Sequence, residues 1–263
     1  MKFGFIGCGN MAKAIIGGIL RHGIAAPEEI VASALHTETL EKAAAKFGIN
    51  TTTVNCEAAK ADIVFLAVKP QFYESVIREI KDTVTASQLF VSIAPGKSIQ
   101  TLTDWFEKPI KLIRAMPNTP AMVGEGVTAI CPADTVTSAE LDQVIQLFAA
   151  CGTAEVMPER LIDGVVAVSG SSPAYIFMII EAMADGAVRD GIPRAQAYRL
   201  AAQAVLGSAK MVLETGKHPG ELKDMVCSPA GTTIEAVAVM EKCGLRSAIL
   251  EGMEACSRKT RGM

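Results

Sequence analysis

The chain predicts two domains of different class: a doubly wound α/β domain with a mostly parallel sheet, then an all-helical domain. Three observations carry that prediction. Short apolar strands alternate with helical patterns through the first half, a glycine-bearing turn joins the first strand to the first helix, and strand signals stop near Pro158.

Lys2 to Ile6 reads as a short buried strand, and Asn10 to about Arg21 as the helix after it. Glu29 to Leu35 predicts a second strand and Thr37 to Phe47 a second helix. A brief strand at Ile49 to Thr53 and a short helix at Cys56 to Lys60 precede "ADIVFLAV", whose unbroken apolar run marks a strand buried on both faces. "LFVSIA", "IKLIRAM" and "GVTAIC" predict further strands, Ser138 to Ala150 a helix, and "TAEVM" a last strand. Strands separated by helices require right-handed crossovers and parallel pairing.

Beyond Pro158 the sequence is rich in Ala, Met and Leu and predicts helices at Arg160 to Val168, Pro173 to Arg189, Pro193 to Glu214, Pro219 to Met225, Thr233 to Glu241 and Leu245 to Ser257. Pro173 and Pro193 stand where first helical positions fall. The expected division is therefore residues 1–157 and 158–263. "PAYIFMIIEAMADGAV" is apolar around most of its circumference, more than a small helical domain can hide, which predicts a homodimer.

With 263 residues, half of them apolar, the chain can bury a sizeable core. A formal charge of -3 and a pI near 5.7 provide no basic stripe for nucleic acid or anionic membrane. The clusters Lys108 to Arg114 and Arg258 to Arg261 read as solvated edges. Seven cysteines, an odd number without a CxxC pair, fit free thiols in a reducing cytoplasm. Lys13 and the surrounding glycines argue against a secretory signal. The run Ala174 to Ile180 stops at Glu181, too short for a membrane span. No Cys, His and carboxylate grouping has metal-ligand spacing.

The turn "IGCGNMAKA" has the strand, G-x-G-x-x-A, helix arrangement that binds dinucleotides: Gly7 makes the tight turn, Gly9 admits a pyrophosphate and Ala12 lets helix pack on strand. An acid that would bond the ribose 2′-hydroxyl of NAD is absent near the end of the second strand, where Ser33 and Ala34 stand and Ser33, His36 and Thr37 could bond a 2′-phosphate. This favours NADP. "VFLAVKPQ" brings Ala67 to Pro70, including Val68 and Lys69, to a strand end where cofactors meet parallel sheets, and Asn55 is either a helix cap or a further contact. Asn118, between two prolines, is rigidly presented at another strand end.

Near the C-terminus, "SPAGTTIEAVAVME" leads Gly231, Thr232 and Thr233 into a helix. Thr232 and Glu235 have capping-box spacing, yet a helix start with hydroxyls and free amides is also a carboxylate receptor. The three histidines form no His–Asp pair, and "SGSSPAYIF" lacks the lysine of 3-hydroxyacid dehydrogenases. A protonated cyclic imine needs little acid catalysis and suits such a site. Two alternatives are another NADP-linked reductase of a 2-oxo or 3-hydroxy acid, and a non-catalytic dinucleotide sensor.

"IGCGNMA", "LAVKPQ", "MPNTP", "SGSSPAY", "HPGELKDMVCSPAGTTIEAVAVME" and "ACSRKT" together resemble the pyrroline-5-carboxylate reductases along essentially the whole chain. The resemblance implies an NADPH-binding Rossmann domain, with NADH as an alternative donor, and a dimerisation domain whose helices interlock with a partner's in dimers or decamers. It implies reduction of 1-pyrroline-5-carboxylate to L-proline. Carried over by position, Gly7, Cys8, Gly9, Asn10, Met11, Ser33, Asn55, Ala67, Val68, Lys69, Pro70 and Ala94 contact the cofactor. Gly231, Thr232 and Thr233 hold the substrate carboxylate, with the Thr233 hydroxyl as the catalytic group near the ring nitrogen. The family commonly has a second glycine where Ala230 stands and alanine at Pro95.

Overall fold

The computed structural model describes residues 2–262. By compactness the chain forms two units: one runs to Ser171 and regains the chain from Cys256, and the other is Ser172–Ala255.

The first unit is built on β1 (Phe3–Ile6), β2 (Ile30–Ser33), β3 (Asn50–Thr52), β4 (Ile63–Leu66), β5 (Leu89–Ser92), β6 (Lys111–Met116), β7 (Gly126–Pro132) and β8 (Gly152–Val156). Its order is β3-β2-β1-β4-β5-β6-β7-β8, the Rossmann order with two strands added. Pairings are parallel except β6 with β7, where Ile113 lies opposite Pro132 and Met116 opposite Ala129. β7 and β8 pair in parallel and so run against the other six strands.

Strand alternation divides the core between the sheet faces. Phe3 and Phe5 of β1 and Phe65 of β4 face α1 (Asn10–Arg21), with Ile15, Ile16 and Ile19 above them, and Phe5 stacks on Phe65 at 4.6 Å. Ile6, Val64 and Leu66 face the other way, toward Tyr73, Ile77, Phe90 and Phe106. α2 (Thr37–Phe47) and α3 (Asn55–Ala58) join the first strands. α4 (Tyr73–Ile80) and α5 (Ile99–Phe106) cover the second face, two helices absent from the sequence prediction. α6 (Ser138–Ala149) opens with a capping box in which the Glu140 N–H donates to the Thr137 hydroxyl and the Thr137 N–H donates to the Glu140 carboxylate.

α7 (Glu159–Val165) continues into a π-helical turn, Val166–Gly170. Ile162 and Val166 pack with Met116, Ala129 and Cys131, so compactness assigns α7 to the sheet unit, beyond the boundary that strand signals suggest. Arg114 corrects the expectation of a solvated basic edge: it is 3% exposed and paired with Glu159 at 3.2 Å and Asp163 at 2.5 Å. Lys111 likewise pairs with Glu140.

The second unit contains α8 (Ser172–Arg189), α9 (Arg194–Thr215), α10 (Pro219–Val226) and α11 (Thr232–Lys242), with α12 (Leu245–Thr260) ending in the first unit. Pro193 lies one residue outside its helix, as N-cap, and Pro173 is the second residue of α8. Burial here reaches only small side chains, Ala184, Ala197 and Ala201, while Phe177, Met178, Leu213 and Leu250 stand exposed. The helical stretch Glu159–Arg189 is long and apolar enough to cross a membrane, with mean hydropathy 1.5, which the short run Ala174 to Ile180 does not reveal.

Candidate functional site: a nucleotide cleft and a bare helix start

The order of the sheet reverses between β1 and β4, and there the strand ends open a crevice. The turn after β1 forms its floor. Gly7 has φ +99°, and a Cβ there would lie 2.6 Å from the Ala67 carbonyl group, so only glycine lets the two strand ends approach. A Cβ at Gly9 would meet nothing within 4 Å, which is open space over the helix start. Gly9 is also the N-cap of α1 and offers no side-chain acceptor to the first amides. Those donors point to an anion.

A cleft of about 250 Å³ continues from this turn, lined by Met11, Ala67, Val68, Pro70 and Ala94 among the expected cofactor contacts. Lys69, exposed, caps the 3-10 turn Pro70–Phe72. Cys8 is enclosed in the core with its thiol pushed up by burial, so its backbone alone can serve a cofactor. Asn10 is exposed at the helix start. This cradle fits a dinucleotide: free amides for a pyrophosphate, no side chain over Gly9 and an apolar groove beside it.

The structure adds residues that sequence reasoning did not place there. Met116, Pro117, Thr119 and Gly170 complete the wall, and Gly170 arrives on the π-helical turn. Asn118 is structural: its Nδ2 donates 3.1 Å to the Ser169 carbonyl and its Oδ1 accepts from the Val127 N–H at 2.9 Å. The motif "SGSSPAY" was the available signal for Gly170.

Ser33 and Asn55, far apart in sequence, meet. The Ser33 hydroxyl donates 2.8 Å to Asn55 Oδ1, and Asn55 Nδ2 donates 2.9 Å to a Glu79 carboxylate oxygen. Ser33 is wholly buried, so its hydroxyl faces Asn55 rather than open solvent, whereas Leu35, His36 and Thr37 are exposed at the mouth. Asn55 begins α3 inside the helix and is not its cap, which is Val54.

Within the second unit, Gly231, Thr232 and Thr233 open α11. The capping box expected of Thr232 and Glu235 does not form: Gly231 is the N-cap, Thr232 the first helical residue, and no side chain caps the helix. Its first amides are left for another acceptor. A Cβ on Gly231 would fall 2.3 Å from the Ser228 hydroxyl. Ala230 before it has φ +57°. Among the described residues no group of three His, Cys, Asp or Glu could hold a metal ion.

Comparison with known proteins shows two family matches. Residues 2–96 match "NADP oxidoreductase coenzyme F420-dependent", and residues 159–263 match "Pyrroline-5-carboxylate reductase dimerisation". The chain is 52% identical to the pyrroline-5-carboxylate reductase of Escherichia coli over 263 residues, 98% of this chain and 97% of that one. A structure of a pyrroline-5-carboxylate reductase from Coxiella burnetii superposes with TM-score 0.89 at 35% identity, covering 98% of this chain and 96% of that one. The Plasmodium falciparum pyrroline carboxylate reductase, solved with NADP bound, gives 0.90 at 31% identity over 100% of this chain and 97% of that one.

Proposed function

The chain belongs to the pyrroline-5-carboxylate reductase family, and we infer that it performs the family's reaction, NADPH-dependent reduction of 1-pyrroline-5-carboxylate to L-proline, the final step of proline biosynthesis. The observation that carries this reading is full-length kinship joined to a glycine turn shaped for a dinucleotide. NADP is the cofactor. The dihydronicotinamide, when bound, supplies the hydride.

The chain's own residues bind and orient. The amides opening α1 take the pyrophosphate, while Gly7, Cys8, Gly9, Asn10 and Met11 offer backbone to it. Ser33 with Asn55 stands at the adenosine ribose, and Ala67, Val68, Lys69, Pro70 and Ala94 line the remaining length of the cofactor. The uncapped start of α11, with Gly231, Thr232 and Thr233, holds the substrate carboxylate, and the Thr233 hydroxyl bonds the ring nitrogen. A protonated C=N bond already draws electrons, so the gain comes from proximity and orientation.

Roles divide by unit: nucleotide binding belongs to the unit that runs to Ser171, with Gly170 in the cleft wall past the 157/158 boundary expected from the sequence, and dimerisation with substrate binding belongs to the helices that follow. The apolar helix faces of the second unit are covered by a second copy, as a homodimer or as dimers gathered into a decamer. The stretch Glu159–Arg189 is covered by protein rather than a bilayer: Glu159 and Asp163 hold Arg114 within the sheet unit, and Glu181 and Asp185 interrupt the apolar face of α8 in the second. All seven cysteines are free, which supports a cytoplasmic site of action.

The test is a spectrophotometric assay with both nucleotides. NADPH should be consumed only when 1-pyrroline-5-carboxylate is present, and Thr233→Ala should lose turnover by about tenfold or more while retaining NADPH binding. Bound NADPH with unchanged substrate would end the reading.

A further inference from the structure

We propose that Glu79 is a specificity-determining residue that restrains the preference for NADP over NAD by holding a carboxylate beside the 2′-phosphate seat. The inference rests on the nucleotide-binding reading of the β1–α1 turn and extends it to a residue on a different helix.

In a sheet of this order, the last residue of β2 is where an acid bonds the ribose 2′-hydroxyl when NAD is preferred. That residue here is Ser33, and the absence of an acid nearby in sequence favours NADP. Folding supplies the missing acid from elsewhere. Asn55 Oδ1 accepts from Ser33 at 2.8 Å, and Asn55 Nδ2 donates to Glu79 at 2.9 Å, which sets a carboxylate two hydrogen bonds from the ribose position. Glu79 lies on α4, and among the described residues no lysine or arginine forms an ion pair with it.

Two consequences follow. First, one amide proton of Asn55 is committed to Glu79 and one lone pair of its oxygen to Ser33, so a single amide proton is left to donate to a phosphate oxygen. Second, a phosphate monoester near neutral pH carries about 1.5 to 2 negative charges, which the Glu79 carboxylate repels, whereas a neutral 2′-hydroxyl meets no such repulsion. The exposed residues at the mouth, Leu35, His36 and Thr37, provide no permanent cation in compensation. Glu79 thus fixes the orientation of Asn55 and moderates what Asn55 can hold.

The two roles separate by substitution. Glu79→Gln keeps an oxygen that can accept from Asn55 but removes the charge. Equilibrium titration of the purified protein with NADP+ and, separately, NAD+, followed by protein fluorescence or calorimetry, reads binding without turnover. NADP+ affinity should rise about three- to fivefold at low salt, NAD+ affinity should stay within a factor of about 1.5, and the gain should shrink when ionic strength is raised. An unchanged or weakened NADP+ affinity, an equal change for both nucleotides, or a gain insensitive to salt would each overturn the proposal. If neither nucleotide bound the unaltered protein, the reading of the glycine turn itself would fail, which is a separate result.

Discussion

Ala230 holds a backbone angle of φ +57°, where a Cβ is strained by about 1–2 kcal/mol. It stands immediately before Gly231, the N-cap of α11. Ala230→Gly relieves the strain and costs back part of it in unfolded-chain entropy, so unfolding free energy should rise by about 0.5–1 kcal/mol. Denaturant titration measures it, and a loss of stability would contradict the angle. Glu140 makes stability depend on pH. Burial acts to raise its pKa, but bonds from Lys111 and Thr137 outweigh it and hold the carboxyl below the usual 4.5. A folded-state pKa below the unfolded one gives stability that is present above 4.5 and is lost as pH falls through the lower folded value. Glu140→Gln keeps the capping box but loses the Lys111 ion pair. It should cost about 0.5 kcal/mol at neutral pH, discounted for partial exposure, with the two stability curves converging in acid.

At the scale of elements, α7 is held to the sheet by a buried cation. Arg114 lies on β6 with its Nε unpartnered and its other nitrogens on Glu159 and Asp163, while Glu159 also accepts from the Ile99 N–H opening α5. Asp163→Asn leaves the guanidinium under-compensated. Because Asp163 is one-third exposed, the cost should be about 2 kcal/mol, below that of a fully buried pair. Hydrogen exchange should show α7 amides losing protection ahead of β1 and β4. An exchange pattern unchanged across α7 would show that the ion pair does not hold it.

The strands along the chain and most helix starts were legible, because apolar runs and Pro or Gly punctuation mark them locally, whereas the order of the strands in the sheet was not. α4 shows its helical spacing in Tyr73, Val76, Ile77 and Ile80, yet at eight residues it makes a weak signal between two strong strands. The glycine turn was legible for the same local reason. What could not be read is contact across the chain: Glu79 beside Asn55, Arg114 beneath α7, and Gly170 beside Met116 are separated by 24 to 54 positions and depend on the completed sheet. The failed capping box is instructive, since the spacing of Thr232 and Glu235 is right but the chain enters the helix one residue early.

At the scale of the molecule, the helices of the second unit bury little by themselves. α10, α11 and α12 have no buried residue, and a groove of about 430 Å³ between α8 and α12 is walled by Tyr175, Met178, Ile179, Leu245 and Ile249. Isolated in water these faces would be a liability. Ile249→Asp should therefore weaken self-association, lowering the mass seen by light scattering at micromolar concentration while near-native nucleotide binding persists. A variant that kept the parent mass would place the interface elsewhere.

The reversed pair β7 and β8 has a consequence for spacing. β8 ends at the rim opposite the glycine turn, so the chain must climb back across the sheet before Gly170 can stand beside Met116. The climb is made by a single helix, which acts as a ruler: each residue added advances it about 1.5 Å and turns it about 100°. The π-helical turn at the top absorbs one residue more than an α-helical turn would. Deleting a residue there should leave the sheet intact and swing the upper wall of the cleft out of register.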